Sequence, residues 1–226
     1  MNIVPMSYSQ RTLGLLLLAL VAALYTGCSA KVAADKKVSA PEAVAGSKSK
    51  TMENLLAAYN GESNARTRYL AFAKKADAEG YAKAASLFRA AARAEEIHAN
   101  NHAKVINELG GTPKADIKTP EVNSTAENLK AAVEGESYER DTMYPEFLKQ
   151  AREDNLKEAV RTFNLARSAE AEHARLYSEA RAELASWKTP AKGFYVCPVC
   201  GFTTTDPDFE KCPSCFSPRE QFELVS

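Results

Sequence analysis

Residues 93–98 read RAEEIH and residues 168–173 read SAEAEH, and both stretches contain a Glu-x-x-His pair. On a helix, side chains three positions apart lie on the same face, so each pair directs one carboxylate and one imidazole toward a common point. The paired residues are Glu95 with His98 and Glu170 with His173. The pattern predicts two helices that face one polar site.

A Gly-Glu-Ser triplet precedes each pair. The glutamates of these triplets are Glu62 and Glu136, and each precedes the glutamate of its pair by nearly the same interval. One glutamate from each of two helices, with a Glu-x-x-His pair from each of two others, is the ligand set of four-helix bundles that hold two iron ions. The sequence therefore predicts an all-α four-helix bundle with a carboxylate-rich metal site.

Long alanine-rich amphipathic segments follow Thr51, and glycine and proline residues mark their ends. Ser124 and Glu127 form a capping-box pattern at the start of the third segment, and Pro145 predicts a kink within it. The predicted helices span residues 51–79, 81–109, 125–153 and 155–186.

The connection from Gly110 to Ser124 is long. Fully extended, it can span roughly 50 Å, whereas the first predicted helix is roughly 43 Å long. The connection can therefore run the length of the bundle, as in ferritin-like folds with one long crossover.

The two halves of the helical region repeat, because the Gly-Glu-Ser triplet at positions 61–63 recurs at positions 135–137. A duplicated helical hairpin explains this repeat. Gly61 and Gly135 fall inside predicted helices, where glycine costs about 1 kcal/mol relative to alanine. We expect close helix approach at these glycines, or a helix irregularity.

The predicted metal ligands are five glutamates and two histidines, all within one turn of the midpoint of a predicted helix. Five carboxylates in a bundle core are strongly destabilising without cations, since each unpaired buried ion costs several kcal/mol. Carboxylate and imidazole ligands suit iron, manganese or zinc. Ordinary solvated glutamates are the alternative, and the repeated pattern disfavours it. The predicted ligands are Glu62, Glu95, His98, Glu136, Glu139, Glu170 and His173.

Three further side chains are candidates near this site. His102 is predicted to face outward, with metal ligation as the alternative. Tyr69 lies about two helical turns after Glu62, and Tyr144 about two turns after Glu136. Both tyrosines lie on roughly the face of these glutamates, so hydrogen bonds to the carboxylates and plain core packing are both open.

The C-terminal region carries two Cys-x-x-Cys knuckles, at positions 197–200 and 212–215. Four thiolates in this arrangement form a tetrahedral site for zinc or a single iron, and two disulfides are the alternative outside the cytoplasm. Residues 188–194 form the predicted hinge before this module of residues 195–226. The ligands are Cys197, Cys200, Cys212 and Cys215.

The N-terminal region differs in composition from the rest. Arg11 precedes the uncharged stretch of residues 12–27, which is shorter than the roughly 20 residues of a membrane-spanning helix. It resembles a bacterial lipoprotein signal that ends at Cys28, where a lipid would be attached. An uncleaved anchor and ordinary secretion are the alternatives, and all three predict an extracytoplasmic protein. Residues 1–28 are thus the predicted signal, and residues 29–50 a flexible tether.

Charge composition excludes one class of partner. The chain has 226 residues, with 29 basic and 29 acidic side chains and a formal net charge of zero. Because no basic excess is available to displace phosphate counterions, nucleic-acid binding is not expected.

The motifs together resemble the rubrerythrin family, over Met52 to Leu224. The resemblance implies a ferritin-like di-iron domain at residues 51–187 and a rubredoxin-like β module that holds one iron, or alternatively zinc. It rests on Gly61-Glu62-Ser63, Glu95–His98, residues 135–139 (GESYE), residues 143–145 (MYP), Glu170–His173 and the four cysteines.

The activity that the resemblance implies is reduction of hydrogen peroxide to water, with electrons returning through the four-cysteine iron. Glu139 and His98 match the family positions that exchange as ligands when one iron changes redox state. Tyr69 and Tyr144 match its tyrosines beside the metals. The resemblance also implies a head-to-tail homodimer, in which the rubredoxin-like module of one subunit lies near the di-iron site of the other.

Two features depart from the family pattern. Phe216 follows the last cysteine, where glycine normally allows the backbone to turn an amide toward sulfur, so an altered second knuckle is expected. The export signal implies a different electron donor from that of cytoplasmic relatives, such as a cytochrome or a quinol-linked protein. Oxidation or sequestration of iron, and a non-enzymatic metal-binding electron carrier, are the alternative functions.

Overall fold

The computed structural model describes residues 48–188 and 193–226. The predicted signal, Cys28 and nearly all of the predicted tether lie outside the described residues, as do residues 189–192 of the predicted hinge. Within the described part, no helix is both long enough and apolar enough to cross a membrane.

Helices make up the main body of the described part, and the prediction of four long helical segments is confirmed. The third predicted helix is divided into α3 and α4 by a π-helical turn, Glu139–Met143. The fourth ends before its predicted limit and is followed by a 3₁₀ turn, Leu184–Lys188. The α-helices are α1 (Lys48–Ala78), α2 (Ala82–Glu108), α3 (Thr125–Tyr138), α4 (Tyr144–Glu153) and α5 (Lys157–Ala182).

The helices pack as two hairpins. A tight turn around Gly80, which adopts φ +79°, joins α1 to α2 and makes them antiparallel neighbours. The second hairpin consists of α3 and α4 packed on α5, and α2 packs on α5 between the hairpins. The capping box predicted at Ser124 and Glu127 is present at the start of α3.

The long connection between the hairpins runs along α1. The side-chain oxygen of Asn60 accepts a hydrogen bond from the backbone N–H of Asp116 at 2.8 Å. Near the end of α1, a carboxylate oxygen of Glu79 accepts one from the N–H of Thr125 at 2.8 Å. The connection therefore follows α1 toward its C-terminal end, as the predicted long crossover requires.

The π-helical turn absorbs one residue that the first half of the molecule lacks. Tyr144 follows Glu136 by one position more than Tyr69 follows Glu62. The additional residue lies between Glu136 and Tyr144, where the π turn over Glu139–Met143 occurs. Because a π turn takes one more residue than an α turn, Tyr144 keeps the orientation toward its site that Tyr69 has.

The kink predicted at Pro145 stays a prediction; the structure has the π-helical turn just before the proline. Pro145 occupies the first turn of α4, directly after this π-helical turn.

The expectation of close helix approach at the two helical glycines is wrong. A Cβ at Gly61 would have nothing within 4 Å, and one at Gly135 would make only ordinary contacts of 3.9 Å with Arg68 and 4.0 Å with Tyr69. The irregularity offered as the alternative is present in the second half, after Gly135.

Two apolar clusters lie on either side of a buried polar layer. Along α1, Ala58 belongs to one cluster and Ala65 to the other, and the fully buried Glu62 lies between them. The first cluster is built around Tyr144 and Phe163. The second is built from alanines and the rings of Tyr69, Phe72, Phe88, Tyr177 and Trp187.

The C-terminal module is a small antiparallel sheet with strand order β2-β1-β3. Its strands are β1 (Phe194–Val196), β2 (Thr203–Thr204) and β3 (Glu223–Val225). Phe194 is fully buried and lies 6.3 Å, centroid to centroid, from the ring of Trp187. Since both rings belong to the second apolar cluster of the bundle, the module and the bundle share a core. The fold is thus the predicted helical bundle followed by a small β module.

Candidate metal centre

Six of the seven predicted bundle ligands converge in the polar layer. They form two sets of four residues, and the candidate ligand atoms within each set lie within 4.8 Å of one another. Glu95 and Glu170 belong to both sets, as expected for carboxylates that bridge two metal ions. All six side chains are at most 1 % exposed. The sets are Glu62, Glu95, His98 and Glu170, and Glu95, Glu136, Glu170 and His173.

The layer fits a pair of cations. Each of its four glutamates has at least one buried oxygen with no hydrogen-bond partner among the described residues. An unpartnered buried carboxylate oxygen is costly, and four carboxylates facing two imidazoles leave an excess of negative charge. Divalent iron satisfies these oxygens and matches the carboxylate and imidazole donors. The layer is therefore suited to hold two divalent metal ions. The unpartnered atoms are Glu62 Oε2, Glu95 Oε1, Glu136 Oε2, both oxygens of Glu170, and His173 Nδ1.

The electrostatics of the layer also favour bound cations. Burial and the charge of Glu170 raise the pKa of Glu95 well above its ordinary value, and they raise that of Glu136 to about 7. Burial opposes ionisation of Glu170 too, but the adjacent His98 and His173 outweigh it and lower its pKa. Protons therefore compete with metal ions for the glutamates.

The module orients the first histidine. His98 Nε2 lies 3.0 Å from the backbone oxygen of Cys200, which can only accept a hydrogen bond. Nε2 therefore carries the hydrogen, and Nδ1 faces Glu95 at 2.9 Å and Glu170 at 3.0 Å. This contact fixes the tautomer in which Nδ1 is free to bind a metal.

The module orients the second histidine in the same way. Thr203 donates its hydroxyl hydrogen to the backbone oxygen of Gly201 at 2.9 Å, so its oxygen accepts from His173 Nε2 at 3.0 Å. His173 Nδ1 then faces Glu170 at 2.9 Å. Two groups of the β module thus hold the two ligand histidines of the bundle.

Both candidate tyrosines are hydrogen-bonded to ligand carboxylates. Tyr69 donates to Glu136 Oε1 at 2.6 Å, and Tyr144 donates to Glu62 Oε1. Both rings are also buried in the core. Each tyrosine therefore packs in the core and hydrogen-bonds a carboxylate, the two roles that its spacing had left open.

Glu139, the seventh predicted ligand, lies outside both four-residue sets. Burial of its carboxyl group and the charges of Glu62 and Glu136 raise its pKa well above the ordinary value, so it lies close to the layer. Glu139 lies in the π-helical turn, beside the metal site. His98, the residue predicted to exchange with Glu139 as a ligand, belongs to one of the two four-residue sets. Ligation by Glu139 stays a prediction.

The outward orientation predicted for His102 is wrong. The side chain is fully buried, with Nε2 at 3.1 Å from the Tyr144 hydroxyl and Nδ1 at 3.0 Å from the Thr162 hydroxyl. His102 lies four positions after His98, and side chains four apart share a helix face, so its spacing was itself a signal for an inward orientation. The sequence gave no signal for Thr162.

The four cysteines form the second candidate metal site. All are free thiols whose sulfurs lie within 4.8 Å of one another, so the disulfide alternative is not the arrangement found. Hydrogen bonds among the crowded sulfurs lower the pKa of Cys212 and raise those of Cys197 and Cys200, so the four thiols do not ionise together without a cation. The site fits one metal ion held by four thiolates.

The second knuckle keeps the geometry of the first despite its phenylalanine. Gly201 donates its N–H to Cys197 O, and Phe216 donates its N–H to Cys212 O, both at 2.9 Å. Their φ angles are +75° and +63°. The altered knuckle expected at Phe216 is therefore absent, although a left-handed conformation is strained for phenylalanine.

Comparison with known proteins identifies the family. The sequence model of the Rubrerythrin family matches residues 53–181. The chain belongs to the rubrerythrin family. It is 39 % identical over 173 residues to nigerythrin of Nitratidesulfovibrio vulgaris. The aligned region covers 76 % of this chain and 85 % of nigerythrin. The chain is 38 % identical over 182 residues to rubrerythrin-2 of Clostridium acetobutylicum, covering 76 % and 95 % of the two chains.

Solved structures agree with the rubrerythrin assignment. Nigerythrin in a mixed-valence state superposes with a TM-score of 0.71 at 38 % identity, over 77 % of this chain and 86 % of that one. Bacterioferritin of Desulfovibrio desulfuricans, a protein with a di-iron site, superposes with a TM-score of 0.58 at 25 % identity, over 64 % and 91 %.

In this rubrerythrin-family protein, the module lies against the bundle of its own chain. The resemblance had implied contact with the di-iron site of a partner subunit, whereas the contact between Cys200 and His98 is made within one chain. The head-to-tail homodimer stays a prediction.

Proposed function

We propose that this di-iron protein is a peroxidase that reduces hydrogen peroxide in defence against oxidative stress. The reaction takes up two electrons and two protons and releases two water molecules. Its substrate is small and uncharged, which suits a site buried between apolar clusters.

The observation that carries the proposal is the contact between the two metal sites. Cys200 is a thiolate ligand of the module, and its backbone oxygen accepts the hydrogen bond of His98. His98 in turn faces the carboxylate site with Nδ1. One side chain therefore connects a one-electron centre to a two-iron centre. Such a connection serves a site that is re-reduced after each turnover, which iron storage does not require.

All six residues of the polar layer would bind iron. Glu62 with His98 would hold one iron and Glu136 with His173 the other, while the remaining two glutamates bridge them. Iron in the reduced state would supply the electrons that cleave the O–O bond. Glu139 is proposed to exchange with His98 as a ligand.

The tyrosines keep two of the carboxylates in place. Tyr69 and Tyr144 each donate a hydrogen bond to one oxygen of a ligand glutamate, which leaves the other oxygen for the metal. The surrounding apolar clusters exclude bulk water from the layer.

Stopped-flow reoxidation of the reduced, metal-analysed protein tests the function. We expect one equivalent of peroxide to reoxidise the di-iron site much faster than oxygen does. Glu170→Ala should abolish this reaction and keep the colour of the ferric thiolate site. Glu158→Ala is the matched control, because Glu158 is an exposed residue of the same helix.

Two outcomes would contradict the proposal. Faster reaction with oxygen than with peroxide would favour oxidation of iron. A module that holds only colourless zinc would favour a non-redox role for the four cysteines.

We also propose that the protein is a lipoprotein anchored through Cys28 outside the cytoplasm, with an extracytoplasmic one-electron donor. The support is the sequence of residues 1–28 alone. Labelling with a radioactive fatty acid tests it, with Cys28→Ser as the variant that should lose the label and the membrane fractionation. Retention of both by the variant would contradict the anchor.

A further inference from the structure

The two tyrosine–glutamate pairs of the metal site differ in one respect. Tyr69 and Tyr144 occupy equivalent positions in the two halves, and each donates to a ligand carboxylate. Tyr144 also contacts a buried histidine, His102. Among the described residues, no histidine is hydrogen-bonded to the Tyr69 hydroxyl; the guanidinium of Arg68 lies 5.4 Å from the centroid of the Tyr69 ring instead.

The hydrogen bonds around His102 run in one direction. Glu62 accepts from the Tyr144 hydroxyl, so the Tyr144 oxygen can accept from His102 Nε2, 3.1 Å away. His102 Nδ1 is then an acceptor, and the Thr162 hydroxyl donates to it at 3.0 Å. Thr162, His102, Tyr144 and Glu62 thus form a row in which every donor points toward the metal site.

The surroundings of His102 hold it in this orientation. Its ring packs at 5.5 Å from that of Phe163 and 6.0 Å from that of Tyr144, centroid to centroid. Thr162 is 5 % exposed and lines a surface pocket of about 210 Å³. Both ring nitrogens of His102 therefore have a partner in the neutral ring, with Nε2 as donor and Nδ1 as acceptor.

We propose that His102 is a positioning residue that, with its tautomer set by Thr162, directs the Tyr144 hydroxyl onto Glu62 and strengthens metal binding at the Glu62 position. At the Glu136 position the neighbour of Tyr69 is the charged guanidinium of Arg68 and not a histidine, so this tautomer-dependent support is absent there. The two metal positions of a duplicated site are thereby made unequal. The inference concerns the metal site and does not depend on the peroxide reaction.

Cobalt binding to the full chain tests the proposal without any activity measurement. The four-cysteine site is first filled with one equivalent of zinc, since thiolates prefer zinc and zinc thiolate has no visible absorption. Titration with Co²⁺ under anaerobic conditions then reports the two bundle positions by their visible absorption. We expect His102→Leu to weaken one of the two binding steps by about tenfold, the lower end for groups that support metal ligands.

Double-mutant cycles separate positioning from general damage. His102→Leu should have a much smaller effect in a Tyr144→Phe background, because the hydroxyl it positions is gone and only its longer 3.8 Å approach to Glu62 Oε1 is left. It should keep its full effect in a Tyr69→Phe background, which is the matched control. His102→Gln retains an N–H donor and should restore most of the affinity.

Three results would overturn the role proposed for His102. Equal effects of His102→Leu in all three backgrounds would show a purely structural role, and so would failure of His102→Gln to improve on it. If His102→Leu does not fold, Thr162→Val tests the same row with His102 intact, and an unchanged cobalt titration for that variant would refute the proposal.

Discussion

His98 Nε2 lies 3.0 Å from the backbone oxygen of Cys200, so a ligand of the carboxylate site and a ligand of the thiolate site are one hydrogen bond apart. The adjacent Gly201 permits this approach. A Cβ there would collide with His98 Nε2, and its φ of +75° favours glycine in any case. The close contact of the two metal sites thus depends on one missing side chain.

Gly201→Ala is expected to separate the two sites. The added methyl group must push the module away from His98, so electrons from the thiolate iron should reach the bundle at least tenfold more slowly. Starting from the fully reduced protein, the rate at which peroxide makes the ferric thiolate absorption appear measures this electron transfer. Gly80→Ala is the control, because Gly80 has a similar φ of +79° with nothing within 4 Å of its Cβ position. Equal slowing in both variants would contradict the explanation.

Thr203→Val is expected to weaken metal binding in the bundle without disturbing the four-cysteine site. Valine has nearly the same shape as threonine but leaves His173 Nε2 without its partner at 3.0 Å. Loss of such a partner costs roughly ten- to a hundredfold in metal affinity. Competition with a chelator, followed by metal analysis, measures the change. Thr204→Val, one residue along the same strand, should bind metal like the parent protein.

The metal-free bundle is expected to lose stability as the pH rises. The pKa of Glu136 is raised to about 7 in the folded protein, so between its unfolded value and 7 the folded state binds the proton more tightly. Stability that depends on this proton is present at low pH and is lost as the pH rises through 7, by about 3 kcal/mol for this group. Burial opposes protonation of both histidines, but Glu170 and Glu95 outweigh it and raise the pKa of His98, and Glu136 and Glu170 raise that of His173. Loss of these protons at higher pH lowers the stability of the metal-free bundle further.

Thermal unfolding at pH 5.5 and pH 8 measures this dependence, with zinc kept in the four-cysteine site. Bound metal replaces the protons, so the difference in Tm between loaded and metal-free protein should widen at the higher pH. A metal-free Tm that is constant or rises over this range would contradict the expectation.

Deletion of Thr142 is expected to be tolerated. Thr142 is an exposed residue of the π-helical turn, and its removal gives the second half the same spacing that separates Glu62 from Tyr69. The segment can then continue as an α-helix, with Tyr144 still directed into the core. Circular dichroism and thermal unfolding should show a folded protein, and metal titration should show altered binding beside Glu139.

Deletion of Thr67 is the matched control in the first half. It would bring Tyr69 one position closer to Glu62 and rotate the tyrosine by about 100° out of the core. We expect this variant to lose cooperative unfolding. Similar damage from both deletions would show that the π turn does not absorb the additional residue.

Much of the site followed from the sequence because its ligands repeat at helical spacing. Glu95 with His98, and Glu170 with His173, share a helix face by local geometry alone. Glu62 and Glu136 precede these pairs by nearly the same number of residues, which indicated a duplicated helical hairpin. The one extra position between Glu136 and Tyr144 also carried a signal for the π turn, although only the structure made its meaning evident.

The sequence by itself determined the four helices, the six converging ligands and the four-cysteine site, because these depend on spacing within single elements. Tertiary structure alone decided that His102 contacts Tyr144, and that Cys200 and Thr203 hold His98 and His173. Those contacts join residues that are 30 to 102 positions apart. No local periodicity encodes them, since they arise only when the module packs on the bundle and the two hairpins close around the metal site.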